Sequence, residues 1–446
     1  MPTKSDLKQR QALPLSAKIL MSQNRIREWY NHFDGDVCIS FSGGKDSTVL
    51  AHLVHDLYPN VPLVFSNTGL EYPEIQAFAK KMGAEFIRPK MSFSEVISNY
   101  GYPIISKEVS EAIYYSRRIR NGAMLQETKR RRMDMSGVNR EAWEKQHAVM
   151  NGDQYYDEHP LYKRTELLYG GSQTPVKESL TTKKYRCEIL YGDSWGGTTG
   201  VIPDDVLMKL YGRIDSEKKK QKSIYSKVRW LPLIQETQFM IGYRCCSVMK
   251  KQPLKTYQKE HHVVPYLGTL AQESKLRESA WMKHGCNAYN SKNQISQPMS
   301  FWTDQDVLQY IKEKGIEIAS VYGEIVGVDE NGFQYDPMPG VKCKLKCSKC
   351  QRTGCIFCGF GAHIDKSKLS RFQQLAYTHP KQYEYCMNGG QWVDNPDYDP
   401  SAPKYDGDWL NWNPRKIWVP SKKGLGMKHV FDECNQLYGK DFIQYE

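Results

Sequence analysis

The 446-residue sequence predicts an α/β fold with a doubly wound, mostly parallel sheet. Short β-branched runs alternate with segments of helical apolar spacing from residue 34 onward, and the same alternation resumes near residue 263. A Ser-Gly-Gly-Lys sequence joins the first predicted strand to the first predicted helix of this pattern. Ligands of such sheets bind at the carboxyl ends of the strands, so we expect a ligand site at this loop.

The predicted elements follow one another along the chain, and each has its own sequence signal. Pro73 favours a helix start, and Thr303 is a typical N-cap before an apolar helical pattern. The order is a helix over residues 15–33, a strand near Asp36–Ser40, a helix from Lys45 to about Tyr58, a strand over Pro62–Ser66, a helix after Pro73, a strand over Ala84–Ile87, a strand over Val263–Leu267 and a helix after Thr303. The tail, residues 386–446, is predicted to be irregular but ordered.

Bulk composition indicates a soluble globular protein of two or three domains. Hydrophobic residues make up 40% and charged residues 25% of the chain, and no apolar stretch is long enough to span a membrane. The charged N-terminus is followed by no apolar secretion segment, so we expect a cytoplasmic protein. In that compartment, 12 cysteines favour metal or redox chemistry over disulfide bonds.

Positive charge is concentrated in one segment. The formal net charge is +12, and the segment Tyr115–Trp230 contains 23 Lys and Arg against 15 Asp and Glu. It includes the run Lys129–Arg132 and several interleaved tyrosines, a composition that suits RNA or DNA. The same residues would also suit a solvated surface or the core of an inserted segment. We interpret residues 115–230 as a basic insertion with nucleic acid as a candidate partner.

The segment from Val37 to Ser47 has the properties of a phosphate site. A strand leads into adjacent glycines, Gly43 and Gly44, and a helix begins at the next residue. Glycines let backbone N–H groups approach an anion, and a helix N-terminus adds partial positive charge. Lys45 supplies a full cation, and Asp46 is placed to hold Mg²⁺ against phosphates.

The sequence Ser42-Gly43-Gly44-Lys45-Asp46-Ser47 resembles the PP-loop of ATP pyrophosphatases, the superfamily that includes the phosphoadenylyl-sulfate (PAPS) reductases. It differs from the ordinary nucleotide P-loop, which has four residues between its first glycine and its Gly-Lys pair. The resemblance implies an adenine-nucleotide alpha-hydrolase-like fold. It also implies that all six residues bind ATP.

Two further elements resemble the PAPS reductase family. Thr68, Gly69, Pro73 and Glu74 match its Thr-Gly-x-x-x-Pro-Glu element, with Asn67 where many members have Asp. The resemblance implies that Thr68 and Gly69 bind the nucleotide.

The loop after the strand Val263–Leu267 resembles the family's Gly-x-Arg-x-x-Glu-Ser-x-x-Arg sequence. Glu273, Ser274 and Arg277 match it, whereas Leu270 stands where the family has Arg. Arg277 is a candidate bidentate phosphate clamp and a catalytic residue together with Lys45 and Asp46.

Four cysteines form a candidate metal site. The adjacent pair Cys245 and Cys246, combined with the C-x-x-C of Cys355 and Cys358, resembles the four-iron four-sulfur ligand set of adenylyl-sulfate (APS) reductases. The sulfur-inserting protein of bacterial DNA phosphorothioation is similar. Four thiolates suit such a cluster. A reduced vicinal pair with a separate C-x-x-C turn is the alternative.

Zinc is the alternative metal, bound by Cys343, Cys347 and Cys350 with a fourth ligand such as Cys355 or His363. Near the C-terminus, Glu433-Cys434 matches only the first two residues of the Glu-Cys-Gly-x-His context in which sulfonucleotide reductases carry their nucleophile. Cys434 also lies in an amphipathic pattern that favours a buried structural cysteine.

These observations favour a PAPS reductase-like PP-loop enzyme. It would cleave ATP to AMP and pyrophosphate and activate an acceptor for sulfur transfer, with Mg²⁺ and a 4Fe-4S cluster. The alternatives are an APS or PAPS reductase that releases sulfite, and a nucleotide-binding regulatory protein without turnover that would need a partner protein. We divide the chain into an N-terminal helical segment (1–33), a first nucleotide-domain half (34–114), the basic insertion (115–230), a second half (231–330) and a Cys-rich region with the tail (331–446).

Overall fold

The computed structural model describes residues 2–117, 228–291, 293–337, 343–365, 367–398, 400 and 412–446. Most of the predicted basic insertion, residues 118–227, lies outside them. The chain forms two compact units. The first unit comprises Met1–Phe93 and Arg244–Cys358, and the second comprises Ser94–Tyr243 and Gly359–Glu446. No helix among the described residues combines the length and the apolar character that crossing a membrane requires.

The α-helices and β-strands of the described residues are given in chain order, without the short 3-10 and π-helical turns. Before the insertion they are α1 (Lys4–Gln11), α2 (Leu15–His32), β1 (Val37–Phe41), α3 (Lys45–His55), β2 (Leu63–Ser66), α4 (Pro73–Lys81), β3 (Glu85–Ile87), α5 (Phe93–Tyr100), β4 (Ile104–Ile105) and α6 (Lys107–Ser116). After it they are α7 (Leu231–Glu236), α8 (Gln252–His261), β5 (Val264–Leu267), α9 (Lys275–His284), α10 (Asp304–Lys314), β6 (Ile325–Val328), β7 (Gln334–Tyr335), β8 (Lys344–Cys347), β9 (Gly359–Phe360), α11 (Arg371–Thr378), α12 (Pro380–Met387), β10 (Gln391–Asp394), β11 (Lys416–Val419) and α13 (Met427–Tyr438).

A four-stranded parallel sheet forms the centre of the first unit, in the order β3-β2-β1-β5. The apolar side chains of β1 are buried on both faces, as parallel strands covered by helices require. The predicted fold class is therefore confirmed. Because β1 and β5 are neighbours, the loops that follow them lie at the same edge of the sheet.

Helix α10 begins where the sequence predicts. Thr303 and Asp306 form a reciprocal capping box, in which each side chain accepts from the other residue's backbone N–H. Asp306 also binds the buried ammonium of Lys18 from α2, at 2.7 Å. This pair fixes the first turn of α10, from which Asp304 projects.

The second unit contains the C-terminal tail, where the prediction of irregular structure is wrong. Strands β10 and β11 pair antiparallel, with Trp392 opposite Trp418. Helix α13 then buries Val430, Phe431 and Cys434. The many Gly, Pro and Trp residues of this tail gave no signal for an antiparallel strand pair and a helix that pack through aromatic and apolar side chains.

Candidate functional site

The Ser-Gly-Gly loop lies at the carboxyl end of β1 and leads directly into α3. Gly43 has φ 69°, and a Cβ there would lie 2.7 Å from Cγ2 of Ile75, so any larger residue would strain the turn. Gly44 is the N-cap of α3. The Ser47 hydroxyl donates to the Gly44 carbonyl at 2.9 Å and accepts from the Ser42 N–H at 3.2 Å. These bonds hold the loop in a compact turn with the helix N-terminus behind it.

Lys45 is buried at the first position of α3. Its ammonium contacts Asp46 at 2.8 Å and Asp304 of α10 at 3.0 Å. Burial disfavours the charged form, but the two carboxylates outweigh burial and hold the pKa of Lys45 above its ordinary value. Lys45 is therefore a cation at neutral pH, fixed beside the loop.

Two hydroxyl groups cover the backbone of the loop. The Lys45 N–H donates to the Tyr322 hydroxyl at 3.2 Å, and that hydroxyl lies 2.5 Å from Oγ1 of Thr353. A Cβ on Gly44 would lie 3.3 Å from the same tyrosine oxygen. The segment containing Thr353 thus packs beside the predicted phosphate site.

The loop after β5 approaches α3 closely. A Cβ on Gly268 would lie 2.9 Å from the Asp46 carbonyl oxygen, so glycine is required for this approach. Beyond it, Ser274 is the N-cap of α9 and accepts from the Arg277 N–H at 3.3 Å. The predicted residues Ser274 and Arg277 therefore lie at a second helix N-terminus at the same edge of the sheet.

One carboxylate binds two guanidinium groups at this edge. Glu273 contacts Arg277, and its Oε1 accepts from Arg352 at 2.6 Å. Burial and the like charge of Arg352 lower the pKa of Arg277, whereas Asp46 opposes this effect. Leu270 has an exposed fraction of 0% and belongs to the apolar core.

The predicted nucleotide residues Thr68 and Gly69 follow β2. Thr68 is buried, and both its N–H and its hydroxyl donate to Glu71, at 3.1 and 2.8 Å. Gly69 has φ 73°, and a Cβ added there would have no atom of the described residues within 4 Å beyond its two chain neighbours. Lys250 lies 3.5 Å from the Glu71 carboxylate.

The four cysteines of the candidate iron–sulfur site all belong to the first unit. The sulfur atoms of Cys245 and Cys246 are 4.0 Å apart. Contact with Cys246 and burial raise the pKa of Cys245, and the charges of Cys358 and Cys355 raise it further. Burial raises the pKa of Cys355 to about 12, whereas the neighbouring Lys250 lowers it.

Thiols held together in this way are the donor set of an iron–sulfur cluster, and a cationic centre would favour their deprotonation. Among the described residues, however, no group of three or more His, Cys, Asp or Glu side chains is arranged to hold a metal ion. The donor chemistry fits the cluster, but the spacing shown is not that of a finished metal site. The iron–sulfur assignment stays a prediction.

Of the alternative zinc ligands, Cys343 directly precedes β8, Cys347 is its last residue and Cys350 follows it. Burial raises the pKa of Cys347 to about 11, and the nearby Lys45 lowers it. Cys347 is therefore within electrostatic range of Lys45, which no sequence pattern indicated. The zinc assignment also stays a prediction.

Cys434 lies in the second unit. It is fully buried in α13, and burial raises its pKa. Its environment is that of a structural cysteine, as the amphipathic pattern indicated.

Comparison with known proteins agrees with this geometry. A family model described as the phosphoadenosine phosphosulfate reductase domain matches residues 36–143 and 209–359, which is more than half of the chain. The chain belongs to this family. A search of the curated proteins found no match.

The matched PAPS reductase domain ends just after Cys358, so it contains the phosphate loop, the Glu273 loop and all four candidate iron–sulfur cysteines. It is interrupted over residues 144–208, within the segment that we interpret as a basic insertion.

Sequence reasoning missed four residues that the PAPS reductase domain brings to these sites. They are Lys250, Asp304, Tyr322 and Arg352. Asp304 follows a recognisable N-cap, and Arg352 stands among the cysteines. Neither position indicates that the side chain contacts Lys45 or Glu273, respectively. Tyr322 carried no motif. Asp304 holds the Lys45 ammonium, whereas Tyr322 and Arg352 add hydrogen-bond donors near the loop and Lys250 adds a cation beside Glu71.

Proposed function

We propose that the protein binds ATP at the Ser42–Ser47 loop and cleaves it between the α and β phosphates. An oxygen of the acceptor becomes adenylated and pyrophosphate leaves. A sulfur nucleophile then attacks the acceptor atom that carries this oxygen, and AMP leaves with the oxygen. Family membership supports an adenine-nucleotide enzyme of this superfamily. The observation that carries the proposal is Lys45, a buried cation at the start of α3, directly after the turn formed by Gly43 and Gly44.

The proposed reaction requires stabilisation of charge on the leaving group. An acceptor oxygen attacks the α-phosphorus, and the bond from that phosphorus to the bridging oxygen breaks with its electron pair passing to pyrophosphate. Lys45 and Arg277 carry the positive charge that neutralises this growing negative charge. Asp46 is the residue that would hold Mg²⁺, which supplies further neutralisation when bound.

The sulfur step would depend on the cysteines. Cys245, Cys246, Cys355 and Cys358 would hold the 4Fe-4S cluster, which supplies a site for sulfur delivery when bound. Lys250 lies beside Cys355 and near Glu71. Its ammonium would therefore offset negative charge both on the cysteine thiolates and on Glu71, the carboxylate that binds Thr68. Burial alone would lower the pKa of Lys250, but Cys355 and Glu71 raise it above its ordinary value.

The acceptor that we propose to test first is nucleic acid, because of the basic composition of residues 115–230. Cleavage of the chain near Lys129–Arg132 should reduce both nucleic-acid affinity and its dependence on salt. Unchanged affinity and unchanged salt dependence would exclude this acceptor.

The decisive experiment measures AMP and pyrophosphate formed from ATP by anaerobically purified protein with candidate acceptors. Lys45→Ala should abolish product formation, and the matched control Lys81→Ala should not, because Lys81 forms an exposed pair with Glu317. ATP binding without AMP formation under every acceptor would favour the regulatory alternative. Iron content near four per chain would support the cluster, and stoichiometric zinc would favour Cys343, Cys347 and Cys350.

A reductase of APS or PAPS is the second candidate, favoured by the family match. It predicts sulfite release that depends on a nucleophilic cysteine. The buried position of Cys434 in α13 weighs against this role. Undiminished sulfite release by Cys434→Ser would exclude Cys434 as the nucleophile.

A further inference from the structure

The loop from Gly268 to Arg277, here called the Glu273 loop, has more positive charge beside it than its own sequence supplies. Arg277 is 41% exposed and Arg352 is 65% exposed, while Glu273, which both contact, is 16% exposed. One carboxylate neutralises one of the two guanidinium charges. A guanidinium has five N–H donors, so most donors of this pair remain available to another oxyanion.

The phosphate loop lies next to this pair. Arg277 interacts electrostatically with Asp46, the neighbour of Lys45 in the first turn of α3. Thr353, which follows Arg352 directly, contacts Tyr322 over the Lys45 N–H. Arg352 is therefore held beside the phosphate end of the proposed nucleotide site. The other predicted nucleotide residues, Thr68 and Gly69, follow a different strand, β2.

Leu270 stands where the family motif has an arginine, and it cannot supply this positive charge. Leu270 is fully buried, with its side chain in the apolar core. An arginine there would place a guanidinium among apolar side chains, so its absence is consistent with local packing. The family motif has two arginines in this loop. Here the second guanidinium group beside Glu273 belongs to Arg352, which lies in a distant segment of the chain.

We propose that Arg352 binds the oxyanion end of the nucleotide, beyond the α-phosphate, together with Arg277. This inference rests on the proposed function, because it requires an adenine nucleotide in the Ser42–Ser47 loop. Arg352 thereby makes the site selective for a nucleotide that carries an extended anionic chain. AMP, which ends at the α-phosphate, gains nothing from Arg352.

The test compares ATP with AMP by isothermal titration calorimetry on the full chain. Arg352→Ala should weaken ATP binding roughly 10- to 100-fold, the factor of a charge-assisted hydrogen bond, and should change AMP affinity by less than about twofold. Arg352→Lys should weaken ATP binding less, because it keeps the charge and loses the bidentate geometry. Inorganic pyrophosphate should compete with ATP less well in Arg352→Ala.

Lys349→Ala is the matched control, because Lys349 carries the same charge on the same segment and its backbone N–H, bonded to the Tyr322 carbonyl at 3.1 Å, is retained. It should bind ATP as the wild type does. Equal weakening of ATP and AMP in Arg352→Ala, or no weakening of either, would overturn this inference while leaving the proposed function standing. A wild-type protein that binds no adenine nucleotide would overturn both.

Discussion

The buried pair of Lys18 and Asp306 gives the sharpest prediction about stability. Lys18 is 2% exposed and Asp306 is 11% exposed, and their charged atoms are 2.7 Å apart. The Lys18 ammonium also donates to the Gln11 carbonyl at 2.7 Å. Lys18→Met removes the cation and leaves the carboxylate of Asp306 buried.

Removing one partner of a buried ion pair costs about 3–5 kcal/mol. Asp306 keeps the N–H and hydroxyl of Thr303, at 2.6 and 2.7 Å, so we expect the lower end, about 3 kcal/mol. In a unit of this size, each 1 kcal/mol corresponds to about 2–4 °C in Tm, which gives a decrease of about 6–12 °C.

The assay is urea unfolding combined with calorimetric melting, and Lys81→Met is the control. Lys81 and Glu317 are 2.6 Å apart but 64% and 61% exposed, so their pair should contribute less than about 1 kcal/mol. The double variant Lys18→Met with Asp306→Asn should be more stable than Lys18→Met alone, because it removes the unpaired charge. Equal losses in Lys18→Met and Lys81→Met would refute the reasoning.

Three further predictions concern the loop, a cap and a thiol. Gly43→Ala should cost about 1–2 kcal/mol in urea unfolding and weaken ATP binding, because of its positive φ and the contact with Ile75; unchanged binding and stability would contradict the loop geometry. Ser274→Ala should cost about 1 kcal/mol through loss of the cap, and unaltered unfolding would show that the cap is unimportant. Burial raises the pKa of Cys347 to about 11. Between about pH 9 and 11 the unfolded chain releases the thiol proton and the folded chain retains it. The metal-free protein should therefore lose stability as the pH rises through this range. Cys347→Ala should lose less stability over this pH range, and the part of the loss that comes from other buried thiols, such as Cys355 and Cys434, should remain.

Local sequence patterns predicted the central part of the fold. The apolar runs at β1 and β2 and the N-cap at Thr303 depend on neighbouring residues alone, and the structure places them within one or two residues of the prediction. The tail was different. Strands β10 and β11 are separated by more than 20 residues, so their pairing left no turn signal between them.

The candidate site was predictable only where a motif is continuous. The Ser42–Ser47 loop and the Glu273–Arg277 loop each occupy one stretch of chain. Tyr322, Asp304 and Arg352 reach them through tertiary packing from positions more than 70 residues away from the loop residue that each contacts. Propensity and spacing carry no information about such contacts, so these residues appear only in three dimensions.

The segment from Lys349 to Ile356 has no regular secondary structure, yet its backbone is tied at both ends. Lys349 and Cys350 donate to the carbonyls of Tyr322 and Val321, and Ile356 donates to the carbonyl of Leu70. Surface connections usually accept added or deleted residues. Here a single inserted residue would move either Arg352 or Cys355 out of register with its neighbours. Natural variation in chain length should therefore fall outside this short span.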